Sequence, residues 1–239
     1  MADDFGTQVC GVSALAEPAR RALYLYVVSQ AEPVSRNQAA AGVDLPRHTA
    51  KFHLDKLVDE GLLETEFRRL SGRSGPGAGR PTKLYRRSAR QLTVTLPERH
   101  YDLAGHILAR ALEDAARDGG SVLDALRRAA TDAGRKLGAQ PHTPGKQGHK
   151  PASAVQAVAD ALAEQGYEPR IQADTLVLAN CPFHALADQH NTLVCNMNLD
   201  LITAMLDELG HPGLKATLDP APGRCCVTLT PTPTARHPA

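Results

Sequence analysis

The sequence predicts an α+β protein in three parts, and three observations carry that prediction. Residues 35–63 hold two short helical patterns joined by a tight turn and then open into strand, with a basic, glycine-rich stretch directly after. Residues 97–137 place apolar side chains at helical spacing, broken by Gly119-Gly120. Four of the five cysteines lie beyond residue 180, in a stretch where short strands and helices alternate. At 239 residues, 42% apolar and 22% charged, the chain has the composition of an ordinary globular protein with room for two modest domains.

Taken in order, residues 1–12 read as a loose tail, with Cys10 an incidental exposed thiol. Residues 17–30 form a helix with Ala22, Leu23, Tyr26 and Val27 on one face, and Pro33 breaks it. Ser35 caps the next short helix, Gly42 supplies the backbone freedom for a turn, and Pro46 occupies a first-turn position where proline costs no hydrogen bond. In the following helix Ala50, Leu54, Leu57 and Val58 share one face, while Arg47, His48, Lys51 and Asp55 point elsewhere. Residues 64–68 and 83–86 read as two strands joined by residues 71–79, a loop too rich in glycine to order alone and expected to stay disordered without a ligand.

Helix, turn, helix and a basic wing make a winged helix-turn-helix, here expected over residues 13–95. In that arrangement the second helix enters the major groove of double-stranded DNA and the wing grips phosphate. Arg47, His48, Thr49 and Lys51 are the base-reading candidates; Ser35, Arg36, Arg73, Arg80 and Lys83 are the phosphate candidates. Charge distribution agrees. The chain as a whole is only +1, but residues 1–90 hold 14 Lys and Arg against 10 Asp and Glu, and no acid falls between residues 68 and 90.

Residues 91–96 read as a strand or extended connector. Residues 96–139 then form a helical segment beginning at Pro97, with Tyr101, Leu103, Ile107, Leu108, Ala111 and Leu112 on its apolar stripe. Such stripes either pack on their own chain or pair two copies. Because winged readers usually bind two half-sites symmetrically, a homodimer interface is expected here. Residues 140–151 are a proline- and glycine-rich linker, with His142 and His149 expected in solvent. Residues 152–230 make a small α+β domain: a helix over 153–165, strands near Ile171 and over 175–178, helices over 183–190 and 192–209, and strands over 214–218 and 225–229. Residues 231–234 are expected to be a disordered end.

No apolar run approaches the roughly 20 residues of a membrane span, and the acidic start lacks the features of a signal peptide. A cytoplasmic location is therefore expected, where cysteines stay reduced. Cys181, Cys195, Cys225 and Cys226 have no tight Cys-x-x-Cys spacing. They fit three roles: buried structural thiols, a thiolate metal site, or a nucleophile at Cys181 with His184 or His190 as base. No oxyanion motif or nucleotide loop accompanies them, and no enzyme activity is expected.

The stretch from Asn180-Cys181-Pro182-Phe183-His184 to Cys195, followed by Gly223-Arg224-Cys225, resembles the C-terminal domain of SufR-type repressors. Gly79-Arg80-Pro81-Thr82-Lys83-Leu84-Tyr85 is similar to the wing signature of that group and of ArsR-like and DeoR-like regulators. The resemblance spans about residues 15–230. It implies a dimeric repressor holding an iron-sulfur cluster, of the 4Fe-4S type, on Cys181, Cys195 and Cys225. Cys226, His184 or a small molecule would complete the last iron. Adjacent strand residues face opposite sides, so only one of Cys225 and Cys226 is expected to point at a cluster. Zinc or another thiophilic ion, as in metal-sensing ArsR-like proteins, is the alternative occupant.

Overall fold

A computed structural model describes residues 2–69, 80–141, 153–173, 175–211 and 213–232. The chain divides after Val94 into two compact units.

The front unit contains α1 (Ala2–Ala14), α2 (Pro18–Ser29), β1 (Val34–Ser35), α3 (Arg36–Gly42), α4 (Arg47–Asp59), β2 (Leu63–Arg68) and β3 (Thr82–Arg87). Its strands form an antiparallel sheet in the order β1-β3-β2, with Phe67 opposite Lys83 and Val34 opposite Tyr85. Leu23 and Val27 of α2, Ala39 and Ala40 of α3, and Ala50, Leu54 and Leu57 of α4 close one core over Leu63 and Tyr85. This is the expected winged helix-turn-helix. The expected tail is instead helix α1. Gln8 accepts from the Thr93 backbone N–H at 3.1 Å, and the bare Cα of Gly11 leaves space that the Leu92 side chain fills. The small residues that let α1 pack gave it no conspicuous apolar stripe. Residues 91–94 form no strand.

The turn is built differently from the expectation at Gly42. Asp44, at φ 52°, takes the left-handed conformation, and Leu45 N–H donates to Ala40 O at 2.9 Å. Gly42 is needed for closeness: a Cβ there would enter the Tyr26 ring. Pro46 is the N-cap residue of α4, one position before the first turn.

The rear unit contains α5 (Tyr101–Asp118), α6 (Val122–Gly138), α7 (Ala154–Ala163), β4 (Pro169–Gln172), β5 (Thr175–Leu178), α8 (His184–Gln189), α9 (Asn191–Glu208), β6 (Leu214–Leu218) and β7 (Val227–Pro231). Its strands form an antiparallel sheet in the order β4-β5-β7-β6. β7 runs through Pro231, where a disordered end was expected. Residues 96–139, expected as a separate helical segment, belong to this unit. Leu126, Ala129 and Ala130 of α6 share one core with Leu201, Ile202 and Met205 of α9 and with Leu176, Leu178 and Leu229 of the sheet. Gly134 and Gly138, one turn apart, let the helices touch. A Cβ on Gly134 would collide with Leu201 O, and one on Gly138 would stand 2.8 Å from Met205 O. The apolar stripe of α6 therefore has a partner inside the chain. Apolar side chains remain exposed at Leu112 of α5 and at Val122 and Leu123 of α6. The expected loop over residues 71–79 and most of the expected linker lie outside the described residues.

Candidate functional site

A capping box on α3 and an acid on α4 organise the face that carries the candidate DNA-contacting residues. Ser35 and Gln38 form a reciprocal capping box on α3: Gln38 N–H donates to Ser35 Oγ at 3.3 Å, and Ser35 N–H to Gln38 Oε1 at 2.8 Å. These two bonds fix the helix start. On α4, Ala50, His53, Leu54 and Leu57 face the core, leaving Arg47, His48 and Lys51 exposed and Thr49 half-buried. Phe52 is also on the outside, 64% exposed, with its ring edge-on to His53 at 5.3 Å between centroids. It was not among the sequence candidates, because an aromatic in a helix reads first as core.

Asp55 ties this helix to the wing. Its carboxylate takes Lys51 Nζ on one oxygen and Lys83 Nζ on the other, each at 2.8 Å, and Tyr85 OH donates to it at 3.2 Å. Burial disfavours the charged acid, yet the two ammonium groups prevail and hold its pKa at about 2. The same burial, with the Asp55 charge beside it, pushes the Tyr85 phenol up to about 12. Ser35, Arg36, Lys51, Thr82 and Lys83 line one shallow depression around this acid. Arg36 and Arg80 are exposed. Acids of β2 neutralise part of the basic run: Glu66 pairs with Arg68 of the same strand at 2.7 Å, and Glu64 with Arg86 of the facing β3 at 2.8 Å. Arg73 lies outside the described residues. His53, also unforeseen, is buried between Arg20 Nε at 3.5 Å and Glu17 Oε2 at 3.7 Å.

In the rear unit four cysteines meet. Cys181 follows β5, Cys195 stands in the second turn of α9, and Cys225 and Cys226 precede β7; all are buried. Cys181, Cys195, Cys225 and Cys226 belong to one buried core, close enough for each to influence the titration of another. Cys225 and Cys226 both precede β7, which begins at Val227, so the strand alternation on which the expectation of a single inward cysteine rests does not apply to them. Cys225 N–H donates to Leu178 O at 2.8 Å, which seats the pair beside β5.

The neighbouring Cys225, then burial, raises the Cys181 thiol far above the ordinary range. At Cys225 the Cys181 contact favours the thiolate, but Cys226 and burial outweigh it and push the pKa up to about 11. Burial also raises Cys195, only partly offset by Cys226. Among the described residues no three Cys, His, Asp or Glu side chains are gathered about one point as a metal site requires.

Two polar residues beside these cysteines escaped the sequence reading. Asn198, on the Cys195 face of α9 one turn later, donates from Nδ2 to Cys225 Sγ at 3.3 Å. Tyr167 OH donates to Asn198 Oδ1 at 2.5 Å, and both residues are buried. An asparagine within an otherwise apolar helical face was the available signal. His184, offered as a fourth ligand, faces water. Its side chain is 59% exposed and pairs with Asp188 at 3.6 Å, because α8 begins there and turns that residue outward. His190 is exposed as well.

The donor set suits a thiophilic occupant. Four soft sulfurs from three elements, shielded from water, with an amide N–H donating to one of them, match the ligand and supporting-shell chemistry of zinc and of iron-sulfur clusters. The elevated thiols argue against Cys181 as an activated nucleophile, which requires a lowered pKa.

A family model described as a helix-turn-helix domain matches residues 15–66, from the end of α1 through most of β2. The front unit is thus a helix-turn-helix domain of the kind found in DNA-binding transcriptional regulators. No curated protein and no solved structure matches the chain. Among the described residues no helix is long and apolar enough to cross a membrane.

Proposed function

We propose that this chain is a sequence-specific, cytoplasmic transcriptional repressor that senses iron-sulfur or redox status through its rear unit. Cys181, Cys195 and Cys225 would hold an iron-sulfur cluster, with Cys226 as the fourth sulfur. The observation that carries the reading is that four cysteines from three separate segments of the chain are buried in one core. When bound, a cluster supplies a centre that oxidants or loss of iron can dismantle.

The protein's own groups do the rest. Thiols bind such a group as thiolates, so loading releases protons and tightens as pH rises. Asn198 orients Cys225, and Tyr167 fixes Asn198. In the front unit Arg47, His48, Thr49 and Lys51 read base edges, while Ser35, Arg36, Arg73, Arg80 and Lys83 hold phosphate of a double-stranded operator. A homodimer would present two such faces to two half-sites, and the exposed Leu112, Val122 and Leu123 supply apolar surface for pairing.

Zinc is the second reading, favoured by the presence of four thiols, the number a closed tetrahedral zinc site takes. Anaerobic purification separates the two. A brown protein with iron and acid-labile sulfide supports the cluster; a colourless protein with one zinc per chain replaces it; a protein with neither metal overturns both.

A further inference from the structure

Thr95, the first residue of the rear unit, follows Val94 of the front unit directly. Within the next few residues the chain is tied to the loop that carries Cys181. Arg99 Nη1 donates to Asn180 Oδ1 and, at 3.1 Å, to the backbone oxygen of Cys181 itself. Asn180 returns the contact, its Nδ2 donating to Glu98 O at 3.0 Å and to Gly166 O at 2.6 Å. His100 N–H donates to Pro182 O at 3.1 Å, and Tyr101 OH accepts from Ala185 N–H at 3.3 Å. Thr95 Oγ1 accepts from Arg99 N–H at 3.0 Å, closing the connector on itself. Asn180 is buried, so separating connector from loop would strand polar groups away from water.

We infer that residues 98–100, clipped to residues 180–182, pass the state of the thiol site to the DNA-reading head, with Arg99 as the positioning residue. A ligand taken by the Cys181 sulfur moves the residue whose carbonyl Arg99 holds. Residues 98–100 must follow or release, and the strand of chain they belong to leads straight into the front unit. This deepens the sensing reading above and rests on it. Arg99 holds the Asn180 amide and the Cys181 carbonyl, and its role is to keep connector and loop one body.

The test uses the full-length protein, anaerobically, loaded either with zinc or with ferrous iron plus sulfide, and a DNA fragment selected by the wild type from a random pool. Kd for that DNA is measured loaded and metal-free, for wild type, Arg99→Ala and Arg99→Met; the second variant keeps the apolar stem should the first fail to fold. Hydrogen exchange at the His100 amide is followed in parallel. Wild-type Kd should differ at least about tenfold between the two states. The variants should load the same metal per chain while their ratio falls below about twofold, and the His100 amide should respond to loading in the wild type alone. Variants that keep the wild-type ratio overturn the clip and leave sensing intact. A wild type that loads metal without any change in Kd overturns sensing and, with it, the clip.

Discussion

Lys83 on β3 and Lys51 on α4 grip opposite oxygens of the same carboxylate, that of Asp55, each at 2.8 Å. One acid thus ties α4 to β3. It also occupies one base-reading candidate, Lys51, and one phosphate candidate, Lys83, so the free protein holds them in a defined position.

The pH dependence of stability follows from that pair of contacts. The Asp55 pKa is lowered to about 2, against about 4 for a free aspartate. Its stabilisation is therefore fully present above pH 4 and is lost as pH falls through about 2. Asp55→Asn should cost roughly 0.5–1 kcal/mol at pH 7, the part-exposed position limiting the effect. Denaturant melts of both proteins between pH 2 and 7 should show the gap closing below pH 4; a gap unchanged at pH 2 contradicts the assignment.

Base reading and phosphate contact separate by salt. Arg47→Ala should weaken binding to selected DNA by about 1–3 kcal/mol and relax sequence preference. Arg80→Ala should weaken binding to all sequences alike and lower the slope of log K against log salt by about 1. Anisotropy titrations on selected and random duplexes at several salt concentrations measure both. Equal losses on the two duplexes for Arg47→Ala would remove it from the base-reading set.

Much of the front unit was legible because its signals are local. Ser35 with Gln38 announces a helix start, and Ala50, Leu54 and Leu57 mark a buried face, whatever else the chain does. Signals that depend on a distant partner were lost. Nothing near Gly11 foretells Leu92, and Gly42 looks like a turn residue until the Tyr26 ring is seen against it. The cysteines illustrate both cases. Their elements were readable, but whether Cys225 and Cys226 could both face the site depended on where β7 begins, and Asn198 acquired meaning only once Cys225 stood beside it.

Asn198 carries a prediction of its own. Asn198→Ala removes the donor to Cys225 and leaves the buried Tyr167 hydroxyl without its acceptor. Stability of the metal-free protein should fall by about 1–3 kcal/mol, and zinc affinity by about tenfold or more. Calorimetric titration with a competing chelator reads the second effect. Unchanged affinity would limit Asn198 to a packing role.

The α6 to α9 contact predicts a steric effect. Gly134→Ala places a methyl group against the Leu201 carbonyl, a backbone atom that cannot swing aside. Thermal unfolding should show a loss of about 1–3 kcal/mol despite alanine's better helix propensity. Gly105→Ala, with open space around its Cα on α5, should be neutral or stabilising by up to about 1 kcal/mol. Equal behaviour of the two variants would contradict the close helix contact.

The joint action of the four sulfurs is tested most directly by anaerobic titration with cobalt(II), whose spectrum reports thiolate ligands. The wild type should bind one ion per chain with intense sulfur-to-metal charge-transfer bands, and Cys181→Ser, Cys195→Ser, Cys225→Ser and Cys226→Ser should each weaken them, while Cys10→Ser leaves them unchanged. A wild type without those bands, or bands that survive every substitution in the rear unit, would show that the sulfurs do not share one centre.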